Sequence, residues 1–333
     1  MIIDGTSSVF VTGGTGFFGK ALLRYWAAKD RRGESVPNVT VLSRDPERFA
    51  RQNPKLAASR WLRMHKGDVC VLNSLPIGNA YSHVLHAATD STLGPQLTPL
   101  QRYDQIVIGT RNMLDFAVSC EASRFLLTSS GAVYGPQPIH IKYVAEDWNG
   151  MPDPLEPANS YGVSKRVAEH LCSLYEKNHY LQTVIARCFA FVGPDLPLDV
   201  HFAIGNFIRD AIWREKIIVS GDGSPLRSYL DQKDLALWLL TLMESGKAGQ
   251  AYNVGSDQAI SIADLAHLVR DIIAPNKHVY IKSDPNDCKI CNTYLPSIQK
   301  ARSELALEVK VSLKDSIRET ANHAIKSIGK CTL

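Results

Sequence analysis

The run Val9-Phe10-Val11-Thr12-Gly13-Gly14-Thr15-Gly16-Phe17-Phe18-Gly19 constrains this chain more than any other segment. A short β-favouring stretch enters a glycine cluster, and residues 19–29 then read as a helix with Ala21, Leu22, Tyr25 and Trp26 on one side. A strand that turns at once into a helix aims unpaired backbone N–H groups and the positive helix end at the turn, where a pyrophosphate is the matching ligand. Only glycine permits the backbone angles and the close approach of phosphate. The spacing is G-x-x-G-x-x-G through Gly13, Gly16 and Gly19, and Phe17 and Phe18, within the turn, are candidates for contact with the cofactor. An ordinary tight turn is the alternative reading; the position between a first strand and a helix favours a dinucleotide.

Further strands are expected at residues 39–42, 61–65, 84–87, 125–128 and 183–186, with long helices at about 100–117 and 161–178. Strands alternating with helices of this length predict an α/β fold, a doubly wound parallel sheet covered on both faces. Trp26, Tyr103 and Trp238 sit at helical spacing among Leu and Ala and read as core. After Arg187 the rhythm breaks into loops holding Gly193-Pro194, Pro197, Gly221-Asp222-Gly223 and Pro225, as in a smaller lobe.

Composition excludes several classes. Apolar residues make up 45% of the 333, charged residues 21%, and the net charge is only +4, spread without a long basic run. No nucleic-acid footprint follows from that. No apolar run reaches the roughly 18–20 residues of a membrane span, and residues 1–8 lack the basic flank and apolar core of a signal peptide. The seven cysteines are odd in number and scattered, which suits free thiols and a cytoplasmic address. Cys288-Lys289-Ile290-Cys291 is a C-x-x-C pair, but no second pair lies at finger spacing, so no metal is expected.

The end of the second strand distinguishes the nicotinamide dinucleotides. An acidic residue there binds a ribose 2′-OH, whereas an arginine suits a 2′-phosphate. Ser43 holds that place and Arg44 follows, which favours NADP(H). If Arg44 is instead solvated and Asp45 does the reading, NAD(H) results. Asp68, with Val69, lies where a carboxylate meets the adenine amino group, although Asp68 equally suits a capping role. Ala87 and Ala88 close the next strand, and Thr89 or Asp90 then approaches the nicotinamide or the substrate. His86 reads as a packed residue rather than a catalyst.

Tyr161-Gly162-Val163-Ser164-Lys165 is Y-x-x-x-K, and residues four apart share a helix face. Tyrosine, with a pKa of about 10, is a poor acid/base at neutral pH. A neighbouring ammonium favours the phenolate and lowers that value. The pattern follows a strand ending in Ser129-Ser130, in a chain that already carries the glycine turn.

In these motifs the chain resembles the extended short-chain dehydrogenases/reductases, in the nucleotide-sugar epimerase/dehydratase branch. The matching segments are T-G-G-T-G-F-F-G, S-S-G-A-V-Y-G ending at Gly135, Y-G-V-S-K, Gly221-Asp222-Gly223-Ser224-Pro225-Leu226-Arg227 and Tyr252-Asn253-Val254-Gly255-Ser256. The resemblance implies a Rossmann-type domain at residues 1–187 and a smaller nucleotide-sugar lobe at 188–333, with residues near 227–256 returning to the first domain. It also implies a homodimer formed through the two long helices. Tyr161 would be the acid/base, Lys165 would hold the nicotinamide ribose and tune Tyr161, and Ser130 would hydrogen-bond the reacting sugar oxygen. Arg227 would clamp the diphosphate, a task for a planar bidentate donor; a surface arginine in a turn is the alternative.

The departures from the family pattern bear on the reaction. Its 4,6-dehydratases carry an Asp-Glu pair after the catalytic hydroxyl residue, where this chain has Gly131 and Ala132. Glu146 and Asp147 follow in a loop and are expected to be solvated. Two activities remain: NADPH-dependent reduction of a 4-keto (6-deoxy) sugar, or 4-epimerisation with a retained cofactor. A non-enzymatic sensor of cofactor state is a distant third, since Tyr161 and Lys165 are intact. The helix motif N-V-x-G-T reads Ile106-Val107-Ile108-Gly109-Thr110, so a polar contact near the cofactor is missing. The segment R-x-F-N-x-x-G-P carries Ala190 in place of its amide, with Asn206 a possible substitute in substrate binding.

Overall fold

The computed structural model describes residues 3–89, 96–282 and 292–328. Its first half alternates strand and helix: β1 (Ser8–Thr12), α1 (Phe17–Arg31), β2 (Asn38–Ser43), α2 (Pro46–Gln52), α3 (Pro54–Ala57), β3 (Leu62–Lys66), β4 (His83–His86), α4 (Pro99–Ser119), β5 (Arg124–Ser130), α5 (Ser160–His179) and β6 (Gln182–Cys188). Each expected strand and long helix is present, with ends displaced by a few residues. The short helices α2 and α3, each with a proline in its first turn, were not anticipated.

The chain continues through β7 (Phe191–Val192), α6 (Ala203–Trp213), β8 (Lys216–Val219), β9 (Leu226–Arg227), β10 (Leu230–Asp231), α7 (Gln232–Ser245) and β11 (Gln250–Val254). It ends with β12 (Ile260–Ser261), α8 (Ile262–Ile273), β13 (His278–Ile281), β14 (Thr293–Tyr294), α9 (Gln299–Leu305) and α10 (Leu313–Ile328). The main sheet has seven strands in the order β11-β6-β5-β4-β1-β2-β3, all paired in parallel. It is a Rossmann-type doubly wound sheet.

Both sheet faces are apolar because the strand residues alternate between two cores. Val9 and Val11 of β1 join one core with Leu22 and Trp26 of α1 and Trp238 and Leu239 of α7. Phe10, between them, joins the other core with Ile106 and Met113 of α4 and Cys172 of α5. Trp26 and Trp238 are fully buried as expected, but Tyr103 is only half-buried. α4 starts on a reciprocal capping box between Thr98 and Gln101 with Pro99 at its first position, which fixes where the helix begins. A third core gathers Ile204 and Phe207 of α6, Leu265 and Val269 of α8, and Ile317 of α10.

Besides the apolar packing on α7, polar contacts tie the C-terminal half to α1. The Asp195 carboxylate accepts from Arg24 Nε at 2.6 Å and from Gln232 Nε2 at 3.0 Å. The same Gln232 amide donates to Phe17 O at 3.1 Å, so the start of α1 is held by residues more than two hundred positions away. Burial pushes the Asp195 carboxyl up, but Arg24 and Lys20 outweigh this and hold it below its ordinary value.

Gly19 locks α1 against the turn: a Cβ there would lie 2.1 Å from Gly14 Cα, which no rearrangement short of moving the helix relieves. Gly33, by contrast, has positive φ, +73°, but nothing within 4 Å of such a Cβ. Gly33→Ala therefore carries only the left-handed backbone cost of about 1–2 kcal/mol. Gly19→Ala adds overpacking of about 1–3 kcal/mol to a helix whose conformation alanine tolerates. Urea unfolding of both variants checks the assignment: Gly19→Ala should lose dinucleotide binding along with stability, and Gly33→Ala should keep it.

Candidate active site

The glycine turn stands at the C-terminal end of β1, between the ends of β2 and β4. Gly13 has φ +71°, and a Cβ there would come within 2.5 Å of Ala87 O. Gly16 caps α1 with no side-chain partner, and the first turn of α1 has no acidic residue. The helix's leading N–H groups thus face the cleft without a protein anion competing for them. Under the turn, Ala88 N donates to Thr12 Oγ1 at 3.1 Å, and that hydroxyl lies 2.7 Å from His86 Nδ1. Burial and the charge of Lys165 push His86 down to about 3, so the ring is neutral and can accept from Thr12. His86 is the packed, hydrogen-bonded residue expected.

A cleft of about 850 Å³ opens along this sheet edge. Gly13, Gly16, Phe17 and Phe18 line one stretch of it, and Ser43, Arg44, Asp68 and Val69 the next. Ala87, Ala88, Ser130, Tyr161, Lys165 and Arg227 line it further along. Gly19 is not part of the lining: it serves the packing of α1 rather than contact with a ligand. Asn206 is likewise absent from the lining; its Oδ1 accepts from Arg209 Nη1 at 3.0 Å on the same helix.

The residues at the adenosine end fit a dinucleotide. Ser43 is buried, and its Oγ accepts from Asp45 N at 3.2 Å. Asp45 caps α2 by accepting from Arg48 N at 2.9 Å and does not line the cleft, whereas Arg44 does. Asp68 closes a turn, its Oδ1 accepting from Cys70 N at 2.9 Å, and the residue lines the cleft, but it does not cap the short helical turn that follows, whose N-cap is Val71.

Ser130 ends β5, and Tyr161 and Lys165 lie one turn apart at the start of α5. Lys165 is buried and donates to Thr89 Oγ1 at 2.9 Å and to Thr128 O at 2.8 Å. Two of its three donors are therefore spent on fixing the ammonium. Burial lowers Lys165 to about 8. Lys165 Nζ lies 6.0 Å from the Tyr161 ring centroid, so the two groups share a face. The expected lowering of the phenol by this ammonium is not what the structure gives. Burial raises Tyr161, and hydrogen bonding to Ser130 and the charge of Arg102 oppose it.

The loop carboxylates do not supply the missing acid and base. Glu146 is half-buried rather than solvated and accepts from Asn253 N at 2.8 Å. It lines a separate cavity of about 680 Å³ with Arg166 and Lys300, and burial raises its carboxyl. Asp147 is exposed as expected. Behind the site, Glu169 accepts from Ser129 Oγ at 2.6 Å and pairs with Arg187 at 2.8 Å, which braces α5 on the ends of β5 and β6. Arg227 is half-buried on β9, its Nη1 donating to Leu226 O at 2.8 Å and Asn292 O at 2.7 Å. It is therefore a fixed strand residue rather than a loose one in a turn.

Sequence reasoning missed Tyr294. Its hydroxyl lies 3.5 Å from Ser130 Oγ, and its ring stacks on Phe189 with centroids 4.6 Å apart. No motif flags it, because it reaches the site from β14, 164 residues after Ser130. The C-x-x-C pair and Asp90 lie outside the described residues. Among the described residues, Cys70, Cys120, Cys172 and Cys188 are free, no group of His, Cys, Asp and Glu is placed to hold a metal, and no helix is long and apolar enough to cross a membrane.

Residues 9–255 match the NAD dependent epimerase/dehydratase family. The chain belongs to that family. Among curated relatives, UDP-glucuronic acid decarboxylase 2 of Arabidopsis thaliana is 31% identical over 93% of the chain, which spans 66% of that relative's length. The fold is shared with UDP-glucuronic acid 4-epimerase from Bacillus cereus in complex with NAD, at TM-score 0.79 and 22% identity, over 96% of this chain and 99% of that one. It is also shared with RMD from Pseudomonas aeruginosa complexed with NADPH, at TM-score 0.76 and 24% identity over the same shares. This family member keeps the glycine turn and the Ser130, Tyr161 and Lys165 set in one cleft.

Two buried histidines contribute to the acid response of the fold. His83 is pushed down to about 4 and His86 to about 3, in both cases chiefly by burial. An unfolded chain protonates such rings below about pH 6.5, so the unfolded state binds more protons and stability falls with pH from there towards 4 and 3. The loss is at most about 1.4 kcal/mol per pH unit for each ring. Urea midpoints at pH 7, 6 and 5 should fall progressively, and less steeply for His86→Gln; an equal slope in the variant would rule out His86 as the source.

Proposed function

We propose that this family member transfers hydride at C4 of a nucleotide-diphosphate sugar, acting as an NADPH-dependent reductase of a 4-keto, 6-deoxy hexose. The observation that carries the reading is the convergence of Ser130, Tyr161 and Lys165 in the cleft that also holds the glycine turn, with no acid or base at Gly131 or Ala132. A bound nicotinamide dinucleotide supplies the hydride. Ser130 donates to the carbonyl oxygen and holds it beside Tyr161. Tyr161 gives up its phenolic proton to that oxygen as it becomes a hydroxyl. Lys165, anchored on Thr89 and Thr128, keeps its remaining donor for the ribose and its charge near the phenolate that results. Arg227, with Arg44 at the opposite end of the cleft, provides fixed positive charge for phosphate groups.

The cofactor preference supports net reduction. Ser43 has no charge to repel a 2′-phosphate, Arg44 lines the cleft, and the Asp45 carboxylate is committed to capping α2. Arg44→Ala should weaken NADPH binding about tenfold while leaving NADH nearly unchanged, as read by fluorescence titration; equal losses for both would remove the basis for NADP(H).

The UDP-glucuronic acid decarboxylases among the relatives suggest a further reaction to test. A 4-keto uronic acid is a β-keto acid and loses carbon dioxide readily, but the carbanion left at C5 then needs a proton donor. Gly131 and Ala132 provide none. The deciding assay incubates the protein with NADPH and a panel of 4-keto-6-deoxy nucleotide sugars and follows loss of absorbance by the reduced cofactor. Turnover should drop by about 10²–10⁴-fold in Tyr161→Phe. Interconversion of 4-epimers without added cofactor would make the protein an epimerase, and carbon dioxide release from UDP-glucuronic acid a decarboxylase. Either result displaces the reductase.

A further inference from the structure

A second cavity, of about 680 Å³, opens beside the brace that holds α5 on β5 and β6. Its charged lining comes from the loop before α5 (Glu146 and Asp147), from α5 (Arg166 and Glu169), from β6 (Arg187) and from α9 (Lys300). Cations and carboxylates balance, three of each. Glu169 and Arg187 are spent on each other, and Asp147 is exposed. The other three groups keep unused capacity. Arg166 Nη1 donates to Val133 O at 3.0 Å and to Gly150 O at 2.9 Å, and no bond among the described residues uses its Nη2 or Nε. Lys300 Nζ donates to Gln250 Oε1 and Ala251 O, both at 2.9 Å, which leaves one donor of its three. Glu146 Oε1 accepts from Asn253 N at 2.8 Å, and no bond among the described residues reaches its Oε2. Burial raises the Glu146 carboxyl, although Asn253 N and the charges of Lys300 and Arg187 oppose it. A further cation brought to that carboxylate would be favoured.

We propose that this cavity is a second ligand site, for a small zwitterion of the α-amino-acid class, whose carboxylate binds Arg166 and Lys300 and whose ammonium binds Glu146. A simple anion would bring its charge to Glu146, and a simple cation would bring its own to Arg166 and Lys300. A ligand with both signs meets every unused group and leaves the lining balanced. The volume falls in the range of roughly 300–1,000 Å³ that small-molecule sites occupy, so an amino acid fits with room for its side chain. Arg187 Nη1 also donates to Glu146 O at 3.0 Å, and Glu169 accepts from the hydroxyl of Ser129, the neighbour of Ser130. The ligand therefore binds against the network that supports the reacting centre, outside the cleft that contains it. The inference goes beyond the hydride-transfer reading, which uses none of Glu146, Arg166 and Lys300.

The test screens the proteinogenic L-amino acids at millimolar concentration by thermal shift of the full chain, then measures the best of them by calorimetry. At least one should raise the thermal midpoint and bind. The matching acid without its amino group, and the matching amine without its carboxylate, should each bind wild-type protein about tenfold or more weakly, the value of one charged hydrogen bond. Glu146→Gln keeps an acceptor for Asn253 N and removes the charge. It should weaken the amino acid about tenfold and abolish the preference over the acid that lacks the amino group. Arg166→Lys keeps the cation but loses the planar fork, and should weaken binding about three- to tenfold. Added NADPH or UDP should not compete. Binding of no amino acid, equal binding of the acid without its amino group, wild-type affinity in Glu146→Gln, or competition by NADPH or UDP would each overturn the second site. Because the readout is binding outside the cleft, none of these results bears on the reductase assay, and failure of that assay leaves this site standing.

Discussion

Parallel strand pairing brings the site together. Because β1, β2, β4, β5 and β6 all run the same way, their C-terminal ends share one edge, and whatever follows each strand faces the same cleft. Gly13 follows β1, Ala87 follows β4, Ser130 ends β5 and Cys188 ends β6. The register sets Thr12 opposite His86 and Ser130 opposite Cys188. Residues that no local rule connects thus become neighbours through backbone hydrogen bonds alone. A slip in register would reverse the sides of the alternating core residues, so apolar burial on both faces holds the chemistry in place.

That arrangement requires polar groups to be buried, and three of those beside the cleft are compensated. Lys165 is held by Thr89 and by the Thr128 carbonyl, His86 by the Thr12 hydroxyl, and Arg187 by the Glu169 carboxylate. Removing a partner from such a group costs more than the bond contributes, because the remaining charge or donor has no water to turn to. Burial also sets the protonation states: Lys165 drops to about 8, and Tyr161 rises. The phenol is therefore held as an acid, with Ser130 beside it, which matches donation of a proton to an oxygen that gains charge.

The C-terminal half completes the cleft from the other side. Asp195 and Gln232 grip α1, which ties the lobe to the helix that follows the glycine turn. Arg227 and Tyr294 then arrive on neighbouring strands. Gly131, where the family's dehydratases carry an acid, is here the space into which Tyr294 projects.

The sequence by itself determined the sheet, its helices and the two local motifs. Strand alternation, helix periodicity and the glycine turn depend on residues close together in the chain, and Y-x-x-x-K on a single turn of helix. Only the tertiary structure decided the rest. Gly19 packed against Gly14, Asn206 Oδ1 met Arg209, Glu146 faced another cavity, and Tyr294 joined Ser130. Each of these outcomes depends on which strand ends and loops the packing brings together, and local pattern carries no record of such distant encounters.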